Sequence, residues 1–167
     1  LDPEKALKLI LSEAIRLTHA SSGSVALINP TNGFLEIQAA HGLPPGAAET
    51  RLRVGQGITG WVAEHRSVVA LPSNAAADPR FKRFLDLVED TYEAFLSVPI
   101  VTGGEAIGVI NVHHRESHDH SREEIALLIF IGEQLGGVVA KARLMEEAAS
   151  IKRQLEERKI VERAKGI

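Results

Sequence analysis

Hydrophobic residues near the start of the chain recur at helical spacing. Leu7, Leu11 and Ile15 fall on one face, and the preceding segment Asp2-Pro3-Glu4 supplies an N-cap, a first-turn proline and a first-turn acid. The pattern predicts a one-faced helix that ends near His19.

Two shorter runs follow in which apolar and polar positions alternate. They span residues 24–28 and 34–40, and the segment between them, Asn29-Pro30-Thr31-Asn32-Gly33, is rich in turn formers. Apolar residues of the second run share one face and polar residues share the other. We therefore predict an antiparallel hairpin with one covered side.

The most hydrophobic stretches come later, at residues 94–101 and 106–112, with a turn at Thr102-Gly103-Gly104. The second stretch is apolar on both faces, which predicts a central strand covered on both sides. Between the two pairs of strands, the pattern predicts a short strand at 68–71 and a short amphipathic helix at 81–88.

Three glycines, Gly55, Gly57 and Gly60, precede that short strand. They match a phosphate-binding G-x-G-x-x-G pattern only as a lone motif, without the acidic residue of a dinucleotide-binding unit or the G-K-[ST] ending of a P-loop. We interpret them instead as a tight turn from strand to helix that needs glycine freedom and a close backbone approach.

The last helix is predicted to be far longer than the fold requires. Ser121 and Glu124 fit a capping box, and no proline follows between residues 125 and 164. Gly136 and Gly137 are positions where this helix can bend or pack closely. Its second half carries an a/d seam at Leu144, Ala148, Ile151 and Leu155. We expect this half to project beyond the domain and to form a homodimer with a second chain.

Composition narrows the class of protein. The 167 residues are 44% hydrophobic and 25% charged, with a formal net charge of −3, which is typical of one soluble globular domain. We found no apolar run or signal peptide that predicts membrane association, so we expect a cytoplasmic location. The chain does not start with Met, which we interpret as a fragment or processed form of a longer protein.

Charge is unevenly distributed, because residues 141–167 hold 8 basic and 5 acidic side chains. The rest of the chain is acidic. The chain also contains no cysteine. A disulfide framework, a thiolate nucleophile, a Cys-ligated metal site and a thioether-linked chromophore are therefore excluded.

Several short motifs occur in a recognisable order: Val54–Ala63, Asp78-Pro79-Arg80, Ser97-Val98-Pro99-Ile100 and Gly108–Val112. Together with the terminal helices they resemble the GAF sensory domain over about residues 4–145, and we assign residues 1–145 to it. The resemblance implies an α+β fold with an antiparallel sheet of about six strands. The N- and C-terminal helices would cover one face, and loops and short helices would enclose a small-molecule pocket on the other.

The C-terminal segment carries a second resemblance. Residues 146–167 are predicted to be a coiled-coil linker, and 151–167 look like the beginning of an ANTAR domain, a bacterial RNA-binding antitermination module. The residues that carry this likeness are Arg158, Ile160, Val161, Ala164, Lys165 and Gly166. It implies Arg158, Arg163 and Lys165 as RNA contacts, with RNA binding only in a complete ANTAR domain. Within the present chain, a solvated coiled-coil face is the favoured role.

The GAF resemblance implies where a ligand pocket would lie. Aromatic residues between positions 61 and 95 would form its roof or part of the core, and two polar residues of the central strand would lie at its floor. The pocket candidates are Trp61, Phe81, Phe84, Tyr92, Phe95, Asn111 and His113.

Four histidines lie close together, His113, His114, His118 and His120, with Glu116 and Asp119 between them. We favour solvent-exposed loop histidines and therefore predict no metal site. Zinc ligation by the imidazoles and carboxylates is one alternative, and a pocket or pH-responsive role for His113 or His114 is the other.

No catalytic constellation or cofactor motif is found, and we predict a protein that is not an enzyme. The family's methionine sulfoxide reductase and covalent bilin branches need cysteines, and the Asn-Lys-Phe-Asp-Glu signature of its cyclic-nucleotide branch is absent. We expect a sensor of an unknown small molecule. The alternative is a GAF domain that binds no ligand and serves as a dimerisation platform for a kinase or transcription activator.

Overall fold

The computed structural model describes residues 2–80 and 92–166. The helices are α1 (Pro3–Thr18), α2 (Gly57–His65) and α3 (Arg122–Ala164), and the strands are β1 (Ser22–Ile28), β2 (Phe34–His41), β3 (Arg51–Arg53), β4 (Val69–Leu71), β5 (Ala94–Thr102) and β6 (Glu105–His114). Short 3₁₀ turns occur at Ala47–Glu49 and Ala75–Ala77. The predicted helix at 81–88 lies outside the described residues.

The six strands form one sheet in the order β3-β2-β1-β6-β5-β4, and every neighbouring pair is antiparallel. β6 therefore lies at the centre between β1 and β5, as its apolar pattern predicts. The expected hairpins form, and the predicted α+β architecture is confirmed.

One face of the sheet is covered by α1 and α3. The core between them contains Leu11 of α1, Leu128 and Leu135 of α3, and Val98 and Ile110 of the sheet, all almost completely buried. Asp2 caps α1 as predicted, because its carboxylate accepts a hydrogen bond from the Glu4 N–H at 3.1 Å.

Glycine lets α3 lie close to β5. A Cβ at Gly136 would stand 3.3 Å from the Val101 carbonyl oxygen, which is a tight contact, whereas a Cβ at Gly137 would meet nothing within 4 Å. Gly136 is thus the packing glycine and Gly137 faces open space.

The opposite face of the sheet is covered by α2 and the loops around it. Ile58 and Val62 of α2 pack on Phe95 and Val109 of the sheet. The predicted glycine turn precedes and begins α2, with positive φ angles of 96° at Gly55 and 64° at Gly57.

The 43 residues of α3 form one uninterrupted helix, about 65 Å long at 1.5 Å per residue. Its last buried residue is Val139, so the second half extends away from the core as predicted. One 18-residue stretch of α3 is long and apolar enough to cross a membrane by length and composition, with a mean hydropathy of 1.6, and a third of it is buried. The buried residues of α3 pack on the sheet. That the protein does not associate with a membrane stays a prediction.

Candidate ligand cavity

A small cavity of about 50 Å³ lies between the sheet and its α2-side cover. Strands β1, β2, β3, β5 and β6 contribute to its wall, together with α2 and the segment between β2 and β3. The lining residues are Ser24, Ala26, Leu35, Ile37, Leu43, Ala47, Thr50, Leu52, Thr59, Phe95, Asn111 and His113. Most of this surface is apolar, and the polar groups cluster where β1 and β6 meet α2.

Asn111 is the centre of that polar cluster. Its Oδ1 accepts a hydrogen bond from the Ser97 hydroxyl at 2.6 Å, and its Nδ2 donates to the hydroxyls of Ser24 at 3.3 Å and Thr59 at 3.2 Å. Both amide N–H groups therefore already have acceptors. Asn111 fixes the positions of the neighbouring hydroxyls rather than offering a free donor to a ligand.

His113 contributes a further polar side chain to the cavity wall. Its Nδ1 is 3.0 Å from the Ser22 hydroxyl, and no hydrogen bond of its Nε2 is found among the described residues. The imidazole stacks on Tyr92 with ring centres 4.6 Å apart and contacts Phe95 at 4.5 Å. Nε2 is thus available to a molecule in the cavity.

Burial keeps the His113 imidazole neutral. Removal from water, together with charge repulsion from the adjacent His114, lowers the pKa of His113 to about 3. At neutral pH the ring therefore presents either an N–H or a lone pair at Nε2, and its interaction with Ser22 determines which one.

The structure places three of the sequence-predicted pocket residues, Phe95, Asn111 and His113, in the cavity wall. Tyr92 is buried behind the wall, where it stacks on His113. Trp61 is partly buried away from the cavity, between the stacked His65 ring and the Arg80 guanidinium. Phe81 and Phe84 lie outside the described residues.

Sequence reasoning missed the hydroxyl partners of Asn111. Ser24 of β1 and Ser97 of β5 stand directly opposite Asn111 in the two strand ladders. All three lie within the apolar stretches of their strands, and a polar residue among apolar neighbours is a signal that could have found them. Thr59 comes from α2 and is near only because the glycine turn brings that helix over the sheet.

Comparison with known families decides what kind of domain this is. The family model described as "GAF domain" matches residues 2–139. The chain belongs to the GAF family.

Solved structures agree with this assignment. A GAF domain of a phosphoenolpyruvate-protein phosphotransferase from Coxiella burnetii has 29% identity and a TM-score of 0.78, covering 87% of this chain and 86% of that one. The corresponding domain from Acinetobacter has 24% identity, a TM-score of 0.76 and 86% coverage of both chains. Residues 122 to 287 of a methyl-accepting chemotaxis protein have 20% identity and a TM-score of 0.70, covering 86% of this chain and 92% of that one. This GAF domain thus shares its fold with domains of signalling proteins.

The prediction that all four histidines lie exposed in a loop was wrong for His113 and His114. β6 continues through His114, so His113 and His114 are buried strand residues whose side chains point to opposite faces of the sheet. His114 donates from Nε2 to the Thr18 carbonyl oxygen at 3.0 Å, at the end of α1. Burial is also the main reason that the pKa values of His114 and His120 are lowered.

The predicted capping box forms only in part. The Ser121 hydroxyl accepts a hydrogen bond from the Glu124 N–H at 3.1 Å, which caps α3. The Glu124 carboxylate instead contacts His118 Nε2 at 2.8 and 3.0 Å. This carboxylate therefore belongs to the histidine cluster.

The candidate RNA contacts lie far from the cavity. Arg158 and Arg163 are exposed on the last part of α3, and Lys165 is exposed just after it. Residues 151–164 continue α3 without a break. The predicted domain boundary at 145/146 thus falls inside one helix.

Proposed function

We propose that this GAF domain is a bacterial cytoplasmic sensor that binds a small molecule in the cavity and transmits the signal through paired α3 helices to an ANTAR-type RNA-binding output. One observation carries the proposal: β1 lines the cavity and also contacts α3. Ser24 and Ala26 line the cavity, and the Ile28 carbonyl oxygen at the end of β1 accepts a hydrogen bond from Arg143 at 3.1 Å.

The cavity wall indicates the chemistry of the ligand. Among the described residues, no charged side chain lines it, and about 50 Å³ is room for only a few water-sized groups. The free Nε2 of His113 offers one hydrogen bond. The ligand that fits is therefore small, uncharged and mostly apolar, with at least one hydrogen-bonding group.

Arg143 supplies the coupling step. A ligand that moves β1 relative to β6 also moves the Ile28 carbonyl, and this displaces the guanidinium that joins β1 to α3. Such a ligand shifts the helix arrangement only if it binds one arrangement more tightly, by about 1–3 kcal/mol for a typical effect.

An exposed apolar stripe supports the pairing of α3. Phe130, Leu144, Ile151 and Leu155 are each more than half exposed, and Phe130, Gly137, Leu144 and Ile151 are spaced by seven residues. Such heptad spacing is typical of a two-stranded coiled coil. The stripe begins over the sheet and continues into the projecting half, so one seam joins the domain body to the end of α3.

The output is proposed from the ANTAR resemblance and the charge of the segment. Arg158, Arg163 and Lys165 are exposed, and the segment that contains them is basic, which favours contact with phosphates. In a longer natural chain with a complete ANTAR domain, we expect Arg158→Glu to weaken binding to an RNA hairpin and to reduce its salt dependence. An unchanged affinity would contradict this assignment.

We also propose that the domain is not an enzyme. The Ser22–His113 pair superficially resembles a nucleophile and its base, but Ser22 is fully buried and does not line the cavity. A substrate in the cavity would therefore meet the imidazole and not the hydroxyl.

A ligand screen followed by distance measurement tests the proposal. Thermal-shift screening of small uncharged metabolites should give a hit that His113→Phe abolishes, because this substitution removes Nε2. With that hit, spin labels at Arg153→Cys should report a changed distance between the two α3 helices, since no native cysteine interferes.

The Arg143→Ala variant is the matched control for coupling. It should bind the same ligand with unchanged affinity but show no ligand-dependent change in the interhelical distance. A ligand that leaves the wild-type distance unchanged would contradict the transmission step.

The cavity's small volume favours a second candidate, a dimerisation platform that binds no ligand. Its dimer would carry the same α3 seam, but the screen would give no hit. This candidate would be favoured if the wild-type chain forms a stable dimer and the screen finds no ligand whose binding requires His113.

A further inference from the structure

Three side chains that can ligate a metal ion converge beside the start of α3, on the face opposite the cavity. Ligand atoms of His118, His120 and Glu124 all lie within 4.8 Å of one another. His118 Nε2 is 2.8 and 3.0 Å from the two Glu124 carboxylate oxygens, and His120 Nδ1 is 3.8 Å from the nearer one.

His120 brings an unused lone pair into this cluster. Its side chain is only 2% exposed, and its Nε2 is 3.3 Å from the Leu71 carbonyl oxygen. Because a carbonyl only accepts, Nε2 carries the hydrogen and Nδ1 carries the lone pair. Within the described part of the chain, this buried Nδ1 has no hydrogen-bond partner.

Backbone hydrogen bonds position these histidines in the way that is usual for metal-binding histidines. A ligating imidazole typically donates its other N–H to a backbone carbonyl, as His120 does to Leu71. The His118 backbone N–H donates to the Pro72 carbonyl oxygen at 2.9 Å, and this bond fixes the loop against the end of β4. Both histidines are therefore positioned by contacts that do not involve Glu124.

We propose that His118, His120 and Glu124 form a binding site for a borderline first-row divalent cation such as Zn²⁺. Two imidazole nitrogens and one carboxylate are a donor set that zinc accepts, with the remaining position open to solvent. Ligand atoms about 2.0–2.1 Å from a tetrahedral zinc stand roughly 3.3 Å apart. The separations of 2.8 and 3.8 Å between Glu124 and the two histidines lie on either side of that value.

The ion has a route from solvent, and its binding has a structural consequence. The side chains of His118 and Glu124 are 22% and 20% exposed, whereas His120 closes the inner side. A bound ion joins the loop that contacts β4 to the first turn of α3. It therefore stabilises the anchoring of α3 on the domain and does not require an occupied ligand cavity.

Calorimetric titration of the untagged, chelator-treated chain with Zn²⁺ tests the site. We expect one ion per chain, a rise in the melting temperature, and at least tenfold weaker binding for both His118→Ala and Glu124→Gln. His41→Gln is the matched control, since His41 is an exposed histidine outside the cluster, and it should bind Zn²⁺ like the wild type.

Circular dichroism of each variant shows whether it folds, and absorption of the Co²⁺-loaded chain reports the ligands directly. The visible bands expected for nitrogen and oxygen coordination should be lost in His118→Ala. No saturable binding, or one-to-one binding that neither substitution weakens, would overturn the proposal.

Discussion

Two hydroxyl partners of Asn111 differ in their access to the cavity. Ser97 is fully buried and lies outside the cavity wall, whereas Ser24 lines it. A water molecule in the cavity can therefore replace the Ser24 hydroxyl but cannot reach the place of the Ser97 hydroxyl.

We predict that Ser97→Ala destabilises the domain by about 1–3 kcal/mol, because it leaves the buried Oδ1 of Asn111 without its donor. Urea-induced unfolding measures the change in free energy of unfolding. Ser24→Ala is the control and should cost clearly less. Equal effects of the two substitutions would contradict the described hydrogen-bond arrangement.

His113 makes stability depend on pH. The unfolded chain binds a proton at His113 below about pH 6.5, whereas the folded chain does so only near pH 3 because burial lowers the pKa of His113 to about 3. The unfolded state therefore binds more protons in this window. Stability from this residue is complete above pH 6.5 and falls as the pH decreases, by up to about 1.4 kcal/mol per pH unit.

His113→Phe should remove that contribution. Between pH 6 and pH 4.5, the free energy of unfolding of the variant should fall less steeply than that of the wild type. The neighbouring titratable groups among the described residues, His114 beside it on β6 and the stacked Tyr92 phenol, remain in both proteins. Parallel curves from urea unfolding at a series of pH values would refute a buried neutral His113.

The turn before α2 is the element in which glycine is required. A Cβ at Gly60 would lie 2.7 Å from the Arg53 carbonyl oxygen and 3.0 Å from the Gly55 nitrogen, and both are backbone atoms that cannot move aside cheaply. Gly60→Ala should therefore destabilise the domain by about 1–3 kcal/mol and displace Thr59 from Asn111.

Gly137→Ala is the matched comparison in α3. Within one chain nothing lies within 4 Å of a Cβ there, so alanine should raise the stability of the chain by about 0.5–1 kcal/mol through its higher helix propensity. Thermal unfolding should show a lower melting temperature for Gly60→Ala and a higher one for Gly137→Ala. A stabilising Gly60→Ala would contradict the close approach of α2 to the β3 end.

Elements with strong local patterns were predictable from the sequence. The apolar face of α1, the turn residues of the β1–β2 hairpin and the two-sided hydrophobicity of β6 each specify an element by themselves. Strand alternation assigns Asn111 and His113 to one face of β6. That this face lines a pocket, and that Phe95 lies there too, was implied by the GAF resemblance.

The positions of the histidine loop and of Thr59 could not be predicted, because they depend on contacts between distant segments. The loop after β6 looks polar and solvated, yet Leu71 and Pro72 of the sheet edge accept hydrogen bonds from His120 and His118. Nothing local in residues 113–120 signals that edge. The same holds for Thr59, which reaches Asn111 only through the packing of α2 on the sheet.

At the scale of the whole molecule, α3 links the domain body to the proposed output. Its first half is buried against β5, and its second half has an exposed apolar stripe. Arg143 stands where the two halves meet and contacts β1. A second copy of the chain would cover the stripe and give the helix a partner through which a change at β1 can be transmitted.

Disulfide cross-linking of Leu155→Cys tests this pairing most directly. Leu155 lies on the proposed seam, and Arg153→Cys, on the opposite face of α3, is the control; neither has a competing native cysteine. Under mild oxidation at micromolar concentration, we expect Leu155→Cys to form a covalent dimer rapidly and Arg153→Cys to form little. A monomeric Leu155→Cys chain, or equal cross-linking of both variants, would contradict it.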